Sequence, residues 1–408
     1  MIQKIVHKIM RPRHFWRDIG FDELSELYTS MLIRSLATSL IGLFVPIYLY
    51  SLGFSIRSIF GFFIIFFIVR VFCDIVSALT VARIGPKHTI ALSTLANIIF
   101  LLLLLTLKDL HWPLAFVALV GSLTNSLFFI AFHTDFSKIK HPKHGGKELG
   151  YLTIIEKVGG ILGPLIGGVI ATVFSPSYTI VIAIILFIVS LIPLFMTNEP
   201  VKTHQHITIK GFAWRPHVRE FVSYTFLNSE NVISILLWNF YLSVAIFTKD
   251  PYAKIGAITA ISTALSLLTV KVVGARVDNK SDRKLLHAGV YANSVIHLLR
   301  VFVSTPLGAL GINVLNDPIT VTYRMPFVKQ FYDFSDNVPG YRIVYIAANE
   351  MISAVVKAGV WIGLYIASAH VSEVTAMKGA FVVGALFSLG IALQPKAYNN
   401  HKQQVGSE

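Results

Sequence analysis

The sequence predicts an all-α integral membrane protein in which twelve transmembrane helices form two pseudo-symmetric six-helix bundles. Composition gives the class: of 408 residues, 54% are hydrophobic and only 14% charged, with a mean hydropathy of +0.68, whereas about a quarter of a soluble domain is charged. Apolar runs of about twenty residues recur along the chain, the length that a helix needs to cross a bilayer. Their polarity does not alternate, so a membrane β-barrel is not expected.

Each half of the chain contributes six predicted spans. They lie at 24–50, 57–82, 88–107, 112–134, 148–173, 178–196, 221–247, 254–276, 286–304, 308–328, 343–368 and 372–393. The polar stretch 198–220 is predicted to be a cytoplasmic linker between an N-terminal bundle at 21–197 and a C-terminal bundle at 221–394. Residues 1–20 are predicted to be a basic cytoplasmic segment, either an amphipathic helix on the membrane surface or a frayed tail. Residues 395–408 are predicted to be a disordered cytoplasmic tail.

Membrane topology explains the net charge of +14. Lys and Arg concentrate in the N-terminal segment and in every second loop, whereas the alternate loops hold little beyond Arg57, Lys108, Lys249 and Lys254. Because basic loops stay in the cytoplasm, both termini are predicted to be cytoplasmic in a multi-pass protein of the plasma or inner membrane. The basic residues are expected to contact anionic lipid, and no nucleic-acid partner is predicted.

The two halves repeat each other at an offset of close to 190–196 residues. The basic turn "ARIGPKH" at 82–88 corresponds to "GARVDNKSDRK" at 274–284, and "GYLTIIEKVGG" from Gly150 corresponds to "GYRIVYIAANE" from Gly340. Duplicated six-helix bundles are a common plan of transporters, with the substrate site between the bundles near the bilayer midplane. The repeat therefore predicts a central site.

With these features the sequence resembles the major facilitator superfamily. The six-and-six division, the central linker, the basic turns after spans two and eight and the glycine-rich fifth span carry the resemblance, over about 20–394. The family's turn motif reads roughly G-x-x-x-D-R-x-G-R-K, and the first copy departs from it at Ala82, where the acid belongs. The positions that match are Arg83, Gly85 and Lys87 in the first copy and Gly274, Asp278, Arg283 and Lys284 in the second.

The fifth span resembles the family's antiporter motif, G-x8-G-x3-G-P-x2-G-G. The matching residues are Gly150, Gly159, Gly163, Pro164, Gly167 and Gly168. In the superfamily this motif is associated with export, chiefly drug–proton antiport. Small residues let a neighbouring backbone approach closely, so this face of the helix is either a tight packing surface or a sliding gate. Both interpretations stay open.

Charged residues in spans two, five, eight and eleven are predicted to pair across the two bundles. The resemblance implies that span five meets span eight and span two meets span eleven, and an unpaired charge at membrane depth costs on the order of 3 kcal/mol. Glu156 and Lys271 have similar depths, so we expect them to pair. The remaining charges of this gate are Arg70, Asp74, Glu350 and Lys357. Arg70 and Asp74 also have the spacing of a local pair within one helix.

A second polar set is predicted to line the substrate cavity, since the resemblance implies that spans one, four, seven and ten surround it. The candidates are Arg34, Asn125, His133, Glu230, Asn231, Trp238, Asp317 and Arg324. Arg34 and Glu230 occupy equivalent places in the repeat and are expected to face one another. We expect Glu230 and Asp317 to carry the coupled proton, because a buried carboxyl beside a movable cation can bind and release one. Interhelical hydrogen bonding is the alternative for each residue.

These features predict a secondary active transporter that exports small amphipathic or drug-like molecules by alternating access and proton coupling. Proton-linked uptake of an anionic metabolite is one alternative, and a non-transporting scaffold or receptor on the same fold is another. No nucleophile, nucleotide or metal motif is present, so neither an enzyme nor a cofactor is predicted. The expected partners are a small-molecule substrate, protons and the lipid bilayer, and the expected state is a monomer.

Overall fold

The structure is a computed structural model that describes residues 21–139, 145–195, 205, 207–279 and 283–395. The predicted N-terminal segment at 1–20, the first part of the linker and nearly all of the predicted C-terminal tail lie outside these residues. Within them the chain is helical and forms a long helix at each of the twelve predicted positions.

These helices are numbered α1 to α12, with α1 and α7 divided into segments a and b. The first half holds α1a (Phe21–Ile41), α1b (Val45–Ser51), α2 (Ile56–Ile84), α3 (Pro86–Leu105), α4 (Leu114–Ile139), α5 (Gly145–Val173) and α6 (Pro176–Leu194). The second half holds α7a (Trp214–Asn231), α7b (Trp238–Tyr241), α8 (Pro251–Asn279), α9 (Arg283–Arg300), α10 (Pro306–Asp336), α11 (Arg342–Ala367) and α12 (Glu373–Ile391). Corresponding helices begin about 195 residues apart, as the repeat predicted.

Ten helical spans within the described residues are long and apolar enough to cross a membrane. The two that fall short of this test are α9 and α10, which carry more polar residues than the others. Asn293, His297 and Arg300 of α9 are almost completely buried, so these polar groups face the protein interior. A polar helix is tolerated at membrane depth when its polar side faces other helices.

Two predicted boundaries are wrong, both at polar ends of helices. α7a begins at Trp214, inside the predicted linker, because the polar run there covers one side only: Arg215 and Arg219 are exposed, while Phe221 is buried. α10 continues to Asp336 instead of ending near 328, because its last turns bury apolar side chains at helical spacing. These side chains are Phe327, Phe331, Tyr332 and Phe334.

The pseudo-equivalent helices α1 and α7 are both irregular in their second halves. Gly42–Phe44 forms a 3₁₀ turn between α1a and α1b, where Pro46 cannot donate a hydrogen bond. In α7, π-helical turns occupy Val232–Leu237 and Leu242–Ile246 on either side of α7b. Such turns often occur at functional sites, and the first of them begins two residues after Glu230.

The chain direction defines two ends of the molecule, which we call the linker end, where α6 and α7 are joined, and the far end. As the resemblance implies, α5 packs along α8 and α2 along α11, so these two helix pairs form the main contacts between the bundles. Aromatic contacts also join the bundles at both ends. At the far end Phe63 stacks on Trp361 with ring centroids 4.4 Å apart, and at the linker end Phe136 lies 4.9 Å from Tyr332.

Candidate substrate cavity

A cavity of about 710 Å³ lies between the two bundles, bounded by the aromatic contacts at either end. Helices of both bundles line it, and its walls combine aromatic rings with charged side chains. The basic residues that line it are Arg70, Lys157, Arg300, Arg324 and Lys357, and the acidic residues are Glu156, Glu230, Asp317 and Glu350. Its size and mixed walls suit a small molecule with an apolar body and a few polar groups.

Glu230 is fully occupied by hydrogen bonds within the C-terminal bundle. Its Oε1 accepts from Asn293 Nδ2 at 3.0 Å and lies 2.8 Å from His297 Nε2. Tyr323 donates its hydroxyl to the other carboxylate oxygen at 3.1 Å. Since α7, α9 and α10 all contribute, this carboxyl holds the interior of the C-terminal bundle together. Glu230 lies in the cavity wall, and its hydrogen-bond partners all belong to the C-terminal bundle.

Asp317 is also held by hydrogen bonds, from two hydroxyls of α8. Ser262 and Thr263 donate to its Oδ2 at 2.8 Å and 3.0 Å. Of the four acidic residues, Glu230, Asp317 and Glu350 therefore have donors in place. Glu156 is the exception, since its side chain is exposed to the cavity and accepts no hydrogen bond from any described residue.

Four cations of the cavity wall form no ion pair with a carboxylate among the described residues. They are Lys157 on α5, Arg300 on α9, Arg324 on α10 and Lys357 on α11. Arg324 is exposed to the cavity and donates one hydrogen bond, 3.1 Å long, to Asn231 Oδ1. Lys357 is buried, with Phe67 beside its ammonium at 5.8 Å. In formal charge the wall holds five basic residues against four carboxylates, so the cavity presents an excess of one positive charge.

Aromatic rings form much of the remaining wall. Phe128 and Phe132 of α4 stack with their centroids 5.5 Å apart, and across the cavity Tyr224 of α7 stacks on Phe331 of α10 at 4.7 Å. The cavity thus offers apolar area beside its free cations. An amphipathic anion would match both properties at once.

At the linker end, Arg70 and Glu350 form a buried ion pair that joins the bundles. Arg70 Nη2 lies 2.7 Å from Glu350 Oε2, whereas its Nε lies 3.8 Å from Asp74 on its own helix. Both pairings that the sequence left open are therefore present, and the cross-bundle one is shorter. Tyr224 donates a short hydrogen bond to Glu350 Oε1, and His133 Nδ1 lies 2.9 Å from the Tyr332 hydroxyl.

Arg34 does not face Glu230 across the cavity. Its guanidinium donates to Thr94 Oγ1 at 2.7 Å and lies 3.9 Å above the Phe128 ring, inside the N-terminal bundle. Equivalent positions in the repeat predict equivalent depth, but they do not predict direction. Each side chain turns towards the polar groups of its own bundle. Arg34 lies inside the N-terminal bundle, whereas Glu230 lines the cavity and is bonded to residues of the C-terminal bundle.

The predicted pair of Glu156 with Lys271 is absent. Glu156 points into the cavity, but Lys271 is exposed on the outer side of α8, next to the exposed apolar residues Leu268 and Val272. The two side chains lie on different faces of their helices, one towards the cavity and one away from it. A lysine on such a face can extend its ammonium towards the membrane surface.

The fifth-span motif serves two different contacts. An added Cβ on Gly159, Gly163 or Gly167 would meet Ser35, Ser39 or Leu40 of α1a, so this row packs α5 inside its own bundle. The other row crosses the bundle boundary: Gly168 lies against the Tyr252 carbonyl, and the Pro164 carbonyl lies against Gly256 of α8. Gly150 belongs to neither row, with only the Met325 methyl within reach at 3.8 Å.

The remaining predicted residues have mostly local contacts. Asn125 lines the cavity and donates to the Gly121 carbonyl of its own helix at 3.1 Å, and Trp238 donates to Asn313 at 2.7 Å.

In the turn motifs, Gly85 joins α2 to α3 at φ 87°, a conformation that favours glycine. The other members lie near the linker end: Arg83 and Lys284 are exposed, Lys87 and Gly274 are buried, and Arg283 donates to His287. The Asp278 side chain lies outside the described residues.

Sequence reasoning missed several residues of the site. Arg300 was not among the predicted residues, yet it is completely buried, donates to Ser234 at 2.9 Å and lies 4.8 Å from the Trp238 ring. Lys157, next to Glu156 in the sequence, was also absent from the predicted site. The spacing of His297 and Arg300, three residues apart on one face of a polar helix, was a usable signal. Tyr224 and Tyr332 gave no comparable signal, because an aromatic residue in a membrane helix is usually apolar packing.

Comparison with known proteins agrees with this architecture. Residues 27–401 match the Major Facilitator Superfamily. Among the solved structures that match is the crystal structure of the human organic anion transporter MFSD10 (TETRAN), with a TM-score of 0.68, 12% sequence identity, and coverage of 91% of this chain and 99% of that chain. No curated protein sequence matches. At this identity the structural likeness concerns the fold alone.

Proposed function

Because this chain belongs to the Major Facilitator Superfamily, we propose that it carries a small amphipathic organic anion through the cavity between its bundles, with a proton gradient as the driving force. Membership of this superfamily makes it a membrane transporter rather than an enzyme. The observation that supports an anionic substrate is the charge of the cavity wall. Lys157, Arg324 and Lys357 have no carboxylate partner among the described residues, whereas Glu156 is the one acid there without a donor.

Unpaired cations in a low-dielectric site are costly unless an anion compensates them. A carboxylate between Arg324 and Lys357 would supply that charge, and charge-assisted hydrogen bonds to it would be about twice as strong as neutral ones. The aromatic wall would cover an apolar body. The solved organic anion transporter shares the fold, but our proposal rests on the cavity rather than on that likeness.

In transport, the contacts between the bundles at the two ends would break in turn, exposing the cavity to one side and then to the other. The pair of Arg70 with Glu350 would open when the linker end opens. The contacts of α5 with α8 near Gly256 would open at the far end. A proton bound together with the anion would lower the net charge that has to cross the membrane, and this favours uptake along an inward proton gradient.

Export by proton antiport is the second candidate, and the glycine motif of α5 favours it. The two candidates differ in how acid affects binding. Co-transport requires that acid strengthens the binding of the substrate, because the proton and the substrate are bound to the protein at the same time. Antiport through one carboxyl requires that acid weakens it, because proton and substrate compete.

The test is thermal stabilisation of the purified full-length protein by three probes with one ring system: naphthoate, the neutral naphthamide and the cationic naphthylmethylamine. A ligand that binds the folded state raises its apparent stability. We expect naphthoate alone to stabilise the protein. In Arg324→Gln and in Lys357→Gln its affinity should fall about tenfold, the equivalent of one charged hydrogen bond.

Lys271→Gln is the matched control, because it removes a lysine outside the cavity and should leave naphthoate binding unchanged. Preference for naphthylmethylamine would reverse the sign of the proposed substrate and support the export candidate. If none of the three probes stabilised the protein, the proposed function would be rejected and the hypothesis of a non-transporting scaffold would gain support.

A further inference from the structure

His133 of α4 lies on the boundary between the bundles, with polar contacts to the opposite bundle on both sides of its ring. Nδ1 lies 2.9 Å from the hydroxyl of Tyr332 on α10, and Nε2 lies 3.9 Å from Glu350 Oε1 on α11. Phe331 packs edge-on against the ring at 5.4 Å. The ring also lines the cavity, so protons and substrate can reach the same place.

Glu350 faces three groups at once. Oε2 accepts from Arg70 at 2.7 Å, and Oε1, which accepts from Tyr224, is also the oxygen nearest to His133. A separation of 3.9 Å is too long for a hydrogen bond. A neutral His133 therefore leaves Arg70 as the one cation in direct contact with Glu350 among the described residues. A small rotation of a charged imidazole would bring it into contact with the same carboxylate.

We propose that His133 is the proton-binding residue of the transport cycle and that Glu350 is a counterion which it shares with Arg70. This inference rests on the proposed function, since it explains how a proton and an organic anion are bound together. With His133 neutral, the charge of Arg70 is compensated by Glu350. With His133 charged, two cations share Glu350, with Asp74 at 3.8 Å from Arg70 as the second carboxylate nearby, and the cavity gains one positive charge for the anion.

The charges around His133 make this coupling reciprocal. Burial disfavours the charged imidazole and Glu350 of α11 favours it, whereas Arg324 of α10 and Arg70 of α2 repel the added charge. Tyr332 of α10 accepts from or donates to the ring, Tyr224 of α7 binds Glu350, and Glu156 of α5 and Lys357 of α11 line the same cavity. An anion bound at Arg324 would cancel one of the two repulsions. Substrate would then favour protonation, and protonation would favour substrate by the same factor.

Two further histidines lie beside carboxylates, His217 with Glu220 on α7 and His297 with Glu230, and neither pair crosses between the bundles. His297 lies 2.8 Å from Glu230, but both residues belong to the C-terminal bundle and the histidine is completely buried. Its Nδ1 faces Gly384, where an added Cβ would lie at 2.7 Å. A proton at His297 would leave the contacts between the bundles unchanged. His297→Gln is therefore the matched control.

The first experiment measures naphthoate affinity at about pH 5.5 and about pH 7.5, on either side of the ordinary histidine pKa, a range in which naphthoate stays ionised. We expect the affinity of the unmodified protein to be at least about fivefold higher in acid, the lower end of typical coupling. His133→Gln should bind weakly at both pH values, and His133→Lys, with its permanent charge, should bind tightly at both. His297→Gln should keep the pH dependence. Persistence of the pH dependence in both His133 variants would overturn the inference while leaving the anion site intact.

A second experiment needs no substrate. Cys73 is replaced by Ser, and one cysteine is placed at Thr153, which lines the cavity on the linker-end side of Glu156. In acid, the extra cation at His133 should hold Glu350 and slow labelling of this cysteine relative to the same protein with His133→Gln. Near neutral pH the two rates should agree. Because thiol reactivity itself changes with pH, only rates at one pH are compared. Equal rates at both pH values would overturn the inference even if naphthoate does not bind.

Discussion

Arg70 and Glu350 lie 280 residues apart in the chain, yet their side chains form an ion pair 2.7 Å long at the boundary between the two bundles. Both side chains are almost completely buried, and Tyr224 supplies a further donor to the same carboxylate. The pair therefore links α2 to α11 near the linker end. Its contribution can be measured because each partner can be neutralised separately.

Neutralising one partner should destabilise the protein more than neutralising both. Arg70→Gln leaves Glu350 without its cation, and Glu350→Gln leaves Arg70 with only the more distant Asp74. Loss of one partner from a buried pair costs about 3–5 kcal/mol, whereas replacing both costs much less. Thermal unfolding of the two single variants and the double variant measures the difference. Additive losses would show that the pair does not couple the bundles.

A larger side chain at position 256 should prevent closure of the far end. An added methyl group there would overlap the Pro164 carbonyl of α5, which belongs to the other bundle and to the backbone, so it cannot move aside alone. Gly256→Ala should lower the transport rate and increase the labelling of cavity cysteines from the far side. Gly160→Ala is the control on the same helix contact, because its new methyl would lie 3.6 Å from Thr263. Equal rates for both variants would show that this contact does not gate transport.

The other glycine row of α5 should affect stability instead of gating. A methyl group at Gly163 would lie 2.5 Å from Ser39 Cβ and 2.8 Å from its backbone carbon, inside the N-terminal bundle. Such overpacking costs about 1–3 kcal/mol. At Gly61 of α2 nothing lies within 4 Å, so Gly61→Ala should gain up to about 1 kcal/mol from helix propensity. Thermal unfolding compares the two, and a neutral effect of Gly163→Ala would contradict the assigned packing.

Glu230 should act as a structural residue, not as the carrier of the proton. In Glu230→Gln an amide group would replace one acceptor of Asn293, His297 or Tyr323, and an unsatisfied buried donor costs about 1–3 kcal/mol. We expect a lower unfolding temperature but an unchanged pH dependence of naphthoate binding.

Glu156→Gln makes the same chemical change at a carboxyl that accepts no hydrogen bond from the described residues. It should leave stability unchanged and strengthen naphthoate binding, because it removes a like charge from the cavity. If Glu230→Gln instead removed the pH dependence, the proton would have to be assigned to Glu230.

The sequence by itself determined where the long helices lie along the chain. Hydrophobic length fixes where a helix crosses a bilayer, because backbone groups in lipid must be bonded within the helix. The repeat then assigned the spans to two bundles. The largest boundary errors lie where polar residues continue a helix beyond the apolar region, at Trp214 and at Asp336.

Only the tertiary structure decided where the charged side chains point. Depth along a helix can be read from hydropathy, but in a helix that is apolar on all sides no periodicity marks the inner face. Lys271 and Lys357 were both predicted as gating charges, yet one lies on the outer side of α8 and the other lines the cavity. Arg34 donates to Thr94 inside its bundle for the same reason: at membrane depth a charge turns towards the nearest polar group, and the packing of the helices decides which group that is.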